Sequence, residues 1–446
     1  MQHEELMSRS EAILGMHFPE SNEQIERARE RLAFEELFQL LLASQLNRQE
    51  NAKLEGWRIP FNQAVVRDFV AQLPFALTGA QRVAAWDILQ DFEHEHPMNR
   101  LLQGDVGSGK TVVAGLAARQ AAHEGYQTAL MAPTEILASQ HAATLNTLLA
   151  PFGVTVGLLT GSVKGPARTR LYTAIERGDV DVVVGTHALI QSAVQFNKLG
   201  FVVIDEQHRF GVAQRLELLK KSARMPHLLA MTATPIPRSL ALTVYGELDV
   251  SVLNEKPAHR KPIKTKLWSP NSRAQLYSTV DEEIAAGRQA YVICSLIDEN
   301  TENEAKSVEA EYKRLRTSVF KHRRIGLLHG RLSSQEKEAV MRQFSAGELD
   351  ILVSTTVVEV GVDVPNATVM IIEDGDRFGL AQLHQLRGRV GRGEHQSYCY
   401  IMMSDSKAPS QRLREIEKSE DGFYLAEVDL RLRAQARFTG ELSMVR

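Results

Sequence analysis

No run of about twenty apolar residues occurs in this sequence, so nothing in it reads as a helix able to span a bilayer. The opening stretch, MQHEELMSRS, lacks the apolar centre of a secretory signal. The expectation is a cytoplasmic protein with no membrane partner. Cysteine is scarce. Cys294 and Cys399 lie about a hundred positions apart in apolar runs and read as buried, reduced thiols. No C-x-x-C or H-E-x-x-H spacing suggests zinc. There is no low-complexity segment and no repeat at a fixed short period. Positive charge is not in excess: 52 Lys and Arg stand against 55 Asp and Glu. Any nucleic-acid surface must therefore be a local patch. What remains is a globular chain of 446 residues, 43% apolar, long enough for two or three domains.

Residues 20 to 50 read as one long helix. Ser21 and Gln24 have the spacing of a capping box. Ile25, Leu32, Phe34, Leu37, Leu40 and Leu41 recur on a broad apolar face, which predicts a packing or linker helix. From Gly79 to about Asn254, apolar strands alternate with helical stretches: Thr128–Ala132, Val180–Val184, Phe201–Ile204 and Leu228–Met231. That is the pattern of a parallel sheet covered on both faces. Pro257, Arg260, Lys261 and Pro262 mark a linker. Alternation then resumes, with strands near Gln289–Cys294, Ile325–Leu328, Ile351–Ser354, Thr368–Glu373 and Tyr398–Met403. The expected fold is α/β with two tandem domains built on parallel sheets. Expected boundaries are 1–60 for a helical connector, 61–257 and 258–405 for the two domains, and 406–446 for a helical C-terminal segment.

Four stretches carry the chemistry. "LLQGDVGSGKTVVAG", residues 101 to 115, fits G-x-x-x-x-G-K-[ST] between an apolar strand and an Ala-rich helix. Gly104, Gly107, Ser108 and Gly109 form the loop, whose backbone N–H groups can turn inward around a phosphate. The helix that follows points its positive end at the same anion. Lys110 can reach the β- and γ-phosphates of ATP, and Thr111 can ligate Mg2+. "FVVIDEQHRFG" ends a buried strand in Asp205 and Glu206. There Asp205 can hold Mg2+ and Glu206 can orient water, with His208 toward the γ-phosphate side. In "MTATPIPRS", Thr232 and Thr234 can relay a change at the phosphates to a neighbouring surface. In "LHQLRGRVGRGE", Arg387, Arg389 and Arg392 are spaced to reach a triphosphate from the second domain. A basic nucleic-acid patch is the alternative reading of those arginines. The preceding "STTVVEVGVDVPNATVMII" carries Thr355, Gly361 and Asp363, which suits a loop between ATP and a polynucleotide backbone.

These stretches, in this order, resemble superfamily 2 helicases and translocases over roughly residues 75 to 405. The resemblance implies two RecA-like domains with ATP in the cleft between them. Arg389 and Arg392 would then be arginine fingers, and "FALTGAQ" would read adenine through Gln81, with Phe75 beside it. It also implies polynucleotide contacts at Pro133 and Thr134 in "APTEILASQH", at Gly161, and at Thr186 and His187. Corresponding contacts in the second domain would be His329, Gly330 and Thr355. More narrowly, D-E-Q-H-R-F-G-V, "LALTVYGELDVSVLNE" and "EDGDRFGLAQLHQLRGRVGRG" resemble the RecG family of bacterial branched-DNA helicases. That implies ATP-driven movement on duplex DNA with remodelling of stalled forks and Holliday junctions, and the chain is expected to act as a monomer.

The chain departs from that family in two places. The family carries an N-terminal wedge domain ahead of the connector, and the expectation is a fragment or a short relative lacking it. Toward the C-terminus "DLRLR" matches, with Arg433 as a DNA contact, but Ala434-Gln435-Ala436-Arg437 replaces the family's Gly-Pro-Gly-Glu stretch. Impaired coupling of ATP turnover to movement is expected. Two rival readings stay open: an RNA helicase of the same superfamily, and a DNA-binding fragment whose motor is uncoupled.

Overall fold

The computed structural model describes residues 6–235, 246–255, 261–295, 301–356, 364–406 and 408–439. At the N-terminus, helix α2 (Asn22–Asn51) starts where the sequence predicts, the Ser21 hydroxyl accepting the Gln24 N–H at 3.1 Å. The preceding α1 (Arg9–His17) folds back on it, with Gly15 against Ala28. The predicted packing face behaves differently from expectation. Phe34, Leu37, Leu40 and Leu41 are exposed, because α1 reaches only the first turns of α2. Beyond α2 the chain is tied to the first sheet by a bridge between Gly56 and Met225.

Among the described residues the first sheet has seven parallel strands: β1 (Asn99–Gly104), β2 (Gln127–Met131), β3 (Val156–Leu159), β4 (Val182–Gly185), β5 (Leu199–Asp205), β6 (His227–Thr232) and β7 (Asp249–Leu253). Their order is β3-β4-β2-β5-β6-β1-β7. One face is covered by α3 (Gln63–Gln72), α4 (Gly79–Phe92), α5 (Lys110–His123) and α6 (Glu135–Leu149). The other is covered by α7 (Gly165–Arg177) and α8 (Val212–Leu219). Coverage on both faces explains why the strands read as continuous apolar runs rather than alternating ones.

The second sheet has six parallel strands among the described residues: β8 (Lys264–Trp268), β9 (Gln289–Ile293), β10 (Ile325–Leu328), β11 (Ile351–Ser354), β12 (Ala367–Ile372) and β13 (Tyr398–Met402). Its order, β10-β11-β9-β12-β13-β8, repeats that of the first six strands of the first sheet. Helices α9 (Arg273–Ala285) and α10 (Thr301–Arg314) lie on one face. On the other lie α11 (Ser334–Ser345), α12 (Leu380–Arg387), α13 (Gln411–Lys418) and α14 (Gly422–Thr439). Strand β8 is an edge, and an outward N–H group within it and another just before it are taken up by carboxylates. Glu420 accepts from Ile263, and Glu417 accepts from Leu267 at 3.2 Å. Covering an edge in this way removes a template for strand addition.

The matching order places β5 and β12 at equivalent positions. Each ends in an acidic pair followed by a short 3-10 turn, Gln207–Arg209 or Gly375–Arg377, then Phe-Gly and an eight-residue helix. Among the described residues, Glu206 (φ 49°) and Asp374 (φ 51°) are the non-glycine residues with left-handed backbone. The same strained turn is therefore built twice.

Candidate active site

A cavity of about 400 Å3 opens where the C-terminal ends of β1 and β5 face the second unit. Val106, Gly107, Lys110 and Thr111 line it from the loop after β1, and Asp205 and Glu206 from the end of β5. Arg389 and Arg392 line it from the second unit. The structure thus brings together the residues that the sequence assigns to phosphate, metal, water and arginine-finger roles.

The loop has the form that phosphate binding needs. Gly107 and Gly109 have φ of 75° and 86°, open to glycine and strained for other residues. Any Cβ at Gly109 would also collide with the Gln81 side chain. Lys110 Nζ donates to the carbonyls of Gly104 at 2.7 Å and Asp105 at 3.0 Å, so the ammonium is held at the mouth of the loop. Ser108 Oγ is buried without a hydrogen-bond partner among the described residues. An orphaned hydroxyl, a tethered ammonium and glycine-bounded N–H groups in one cradle fit a polyphosphate.

The electrostatics separate the two carboxylates. Burial alone would raise Asp205, but the hydrogen bond from His141 and the charge of Lys110 hold it below the ordinary aspartate value. Glu206 is pushed above the ordinary glutamate value by burial and by the neighbouring Asp205. A pair split this way leaves one carboxylate suited to a cation and the other to accepting a proton. Enclosure pushes the Lys110 ammonium below its usual value, against the pull of Asp205, Glu206 and Asp105. Arg389 and Arg392 add positive charge across the cleft, acting on Glu206 and Lys110 respectively. Such preorganised charge stabilises a transferring phosphoryl group.

Other candidates stand elsewhere. Arg387 does not reach the cavity. It is buried, donating to the carbonyls of Ile416 at 2.7 Å and Ser419 at 2.9 Å and to His384 Nδ1 at 2.8 Å. It lies on the inner face of α12, where an uncompensated charge would be costly. Gln81 caps α4 by accepting the Thr78 N–H at 2.9 Å and donates to the Ser108 carbonyl at 2.8 Å. Its carboxamide thus braces the phosphate loop. Phe75 is exposed, and His208 is exposed with Nδ1 3.7 Å from Glu206. Gly361 and Asp363 lie outside the described residues, as does the side chain of Arg433.

The predicted polynucleotide contacts divide by burial. Gly161, His187 and Gly330 are exposed, and Pro133 and Thr134 are half-buried. The side chains of Thr186, His329 and Thr355 are buried. They sit just past strand ends, where the sheet encloses them. Thr134 also caps α6, its hydroxyl accepting the Leu137 N–H at 3.3 Å.

Two histidines were not singled out by sequence reasoning. His141 Nε2 lies 2.7 Å from Asp205 Oδ2. His384 Nε2 lies 2.9 Å from Asp105 Oδ1, across the cleft. A carboxylate only accepts, so each Nε2 carries the proton. Arg387 donating to His384 Nδ1 requires the same tautomer. Both histidines fall within the quoted stretches "APTEILASQH" and "LHQLRGRVGRGE", but spacing alone gave no reason to aim them at carboxylates. The cleft is also bridged by Gln385, which donates to Thr234 Oγ1 at 2.9 Å. That contact gives the Thr-Ala-Thr stretch a physical link to the second unit. At Gly422 the C-terminal helix begins so close to this junction that a Cβ would collide with Asp105 Oδ1 and His384 Nε2.

Comparison with known proteins agrees with this geometry. Residues 79–243 match the DEAD/DEAH box helicase family, and residues 274–394 match the helicase conserved C-terminal domain. The chain is 50% identical over 439 residues to the ATP-dependent DNA helicase RecG of Synechocystis sp., covering 98% of this chain and 53% of that protein. It is 50% identical over 436 residues to RecG of Bacillus subtilis, covering 97% of this chain and 63% of the relative. The chain belongs to the RecG family. It corresponds to the helicase portion and spans roughly half to two thirds of those relatives' length. A solved structure of RecG bound to a three-way DNA junction superposes with a TM-score of 0.84 at 45% identity, covering 96% of this chain and 57% of that one. The helicase MrfA bound to DNA shares the fold, with a TM-score of 0.60 at 18% identity over 82% of this chain and 55% of its own.

Proposed function

We propose that this chain is an ATP-driven motor acting on duplex and branched DNA, including forks and Holliday junctions. The observation that carries this reading is the two-sided cavity. The phosphate loop and acidic pair of one unit face Arg389 and Arg392 of the other. A nucleotide held by both walls couples its own presence to the angle between the units, and a cycle of closing and opening follows from that. The likeness to a RecG structure solved on a three-way junction supports the choice of DNA.

Within this reading Lys110 and the loop hold the phosphates, and Thr111 and Asp205 hold Mg2+. Among the described residues no cluster of three or more His, Cys, Asp or Glu side chains forms a metal cage. Bound Mg2+ would supply charge neutralisation at the transferring phosphate. Glu206 accepts the proton of the attacking water, and Arg389 and Arg392 steady the charge that develops. Gln81 and Phe75 border the base, with His208, Gly361 and Asp363 nearer the phosphates. Pro133, Thr134, Gly161, Thr186, His187, His329, Gly330, Thr355 and Arg433 mark the DNA track. Contacts to the DNA backbone give little base preference and an affinity that falls with salt. The motor works as a monomer in the cytoplasm.

The test is steady-state ATPase without nucleic acid and with linear duplex DNA, single-stranded DNA, duplex RNA and a synthetic fork. Stimulation by duplex DNA above RNA, abolished in Lys110→Ala, is expected. Turnover that ignores DNA would make the chain an uncoupled ATPase. Turnover that survives in Lys110→Ala would overturn the site.

A further inference from the structure

Beside the cavity, buried Asp205 and half-buried Lys110 carry opposite charges on adjacent walls, yet among the described residues no ion pair joins them. Lys110 is held on the Gly104 and Asp105 carbonyls instead. Asp205 has both oxygens committed: Oδ2 accepts from His141 Nε2 at 2.7 Å, and Oδ1 accepts the Glu206 N–H at 3.1 Å. Two anchors on one carboxylate fix its side-chain torsions. His141 is set on the second turn of α6 with its ring largely buried. Gln140 and Thr144 of the same helix line the cavity beside it.

We propose that His141 is a positioning residue of the ATP site, one that holds the Asp205 carboxylate away from Lys110. Asp205 is buried, and close to it an ammonium is attracted more strongly than it would be in bulk water. Without the imidazole, Asp205 is free to swing onto the ammonium. An incoming phosphate must then break that pair before it can bind. The imidazole N–H keeps the lysine available for phosphate and the carboxylate available for a cation. This inference rests on the ATP-site reading above.

The test compares His141→Phe, which keeps ring volume and loses the donor, with His141→Gln, which keeps an N–H donor at similar reach. The first readout is binding of the fluorescent nucleotide mant-ADP in EDTA, where no metal contributes. Loss of one charge-assisted hydrogen bond predicts about tenfold weaker binding for His141→Phe. His141→Gln is expected to stay within about threefold of the parent protein. The second readout is the Mg2+ concentration that half-saturates turnover, raised in His141→Phe and restored in His141→Gln. In an Asp205→Asn background the effect of His141→Phe on metal-free binding disappears, because no carboxylate is left to collapse. That cycle holds even if the single variants lose stability, which melting curves monitor. If His141→Phe binds as the parent does and His141→Gln does not, the residue is a packing element and the proposal is overturned. An effect of His141→Phe that persists in the Asp205→Asn background overturns it as well. A parent protein that binds no mant-ADP fails the ATP-site reading itself, a distinct outcome.

Discussion

Asp205–Glu206 and Glu373–Asp374 end equivalent strands of the two sheets, and each passes through a left-handed residue into the same 3-10 turn. Facing them, α5 and α9 each begin with a cation, Lys110 or Arg273. Only the pairing differs. Arg273 grips Glu373 with two nitrogens, at 3.0 and 2.8 Å. Tyr277, Glu311 and Arg314 complete a network around that pair, and Arg314 bonds to Tyr277. Burial and the neighbouring carboxylates push Tyr277 up to about 12. In the first unit a glycine loop stands where the second has the short turn Pro270–Ser272, and the charges stay apart around a cavity. An acidic pair at a strand end is therefore not sufficient for a site. What sets the first unit apart is that its cation and its acidic pair are not joined to each other, Lys110 resting on carbonyls and Asp205 on His141.

The largest test of this contrast lies in the carboxylates themselves. Glu206→Gln is expected to lower kcat about a thousandfold, the range of a positioned proton acceptor, with the melting temperature nearly unchanged. Glu373→Gln should leave turnover per folded molecule intact. Because burial raises Glu206, the acid limb of kcat should have its midpoint above the ordinary glutamate value of 4.5. A midpoint at or below that value would contradict the proton-acceptor role.

A second test asks whether acid loosens one unit before the other. In register beside β5, β6 begins with His227, whereas β13 beside β12 begins with Tyr398. His227 accepts the Met98 N–H and donates to the Trp57 carbonyl, which makes it neutral. Burial pushes it down to about 4. Between the free value near 6.5 and this lower one, the unfolded chain binds the extra proton. The contribution is thus complete above about 6.5 and is lost as pH falls toward 4, on the order of 3 kcal/mol. Hydrogen exchange should show the first sheet opening preferentially over that window, and His227→Gln should flatten the dependence.

Smaller effects follow in the second unit. Arg273→Ala should cost on the order of 2 kcal/mol in thermal or urea unfolding, less than for a fully buried pair because Arg273 is partly open to solvent. Replacing both partners, Arg273→Met with Glu373→Leu, should recover most of that loss. Asp374→Asn should change stability by less than about 0.5 kcal/mol, since asparagine also tolerates the left-handed turn.

Much of this architecture could be read from composition and spacing. The strands Ile325–Leu328 and Ile351–Ser354 fall where their apolar runs place them, and the phosphate loop carries its own signature. Strand β8 went unread because an edge strand with Lys264 and Lys266 exposed lacks a continuous apolar run. The doubled acid turn also went unread, since its copies are too far apart to show as a short period. Arg387 looked like its neighbours Arg389 and Arg392, and only the helix phase of α12 turns it inward. The connector face failed for the opposite reason. Its Leu and Phe positions show helical periodicity correctly, but periodicity does not say what covers the face, and in α2 Phe34, Leu37, Leu40 and Leu41 are exposed.

The carboxylates of Glu417 and Glu420 on β8 set a limit on how this molecule can be divided. A protein engineer trimming the chain at residue 405 to isolate the second unit would remove both, and with them the groups that occupy the Ile263 and Leu267 amides. The freed border would present ready donors to any extended strand in solution. Such a trimmed product should self-associate and come out of solution at concentrations the longer chain tolerates, although every residue of its sheet is intact.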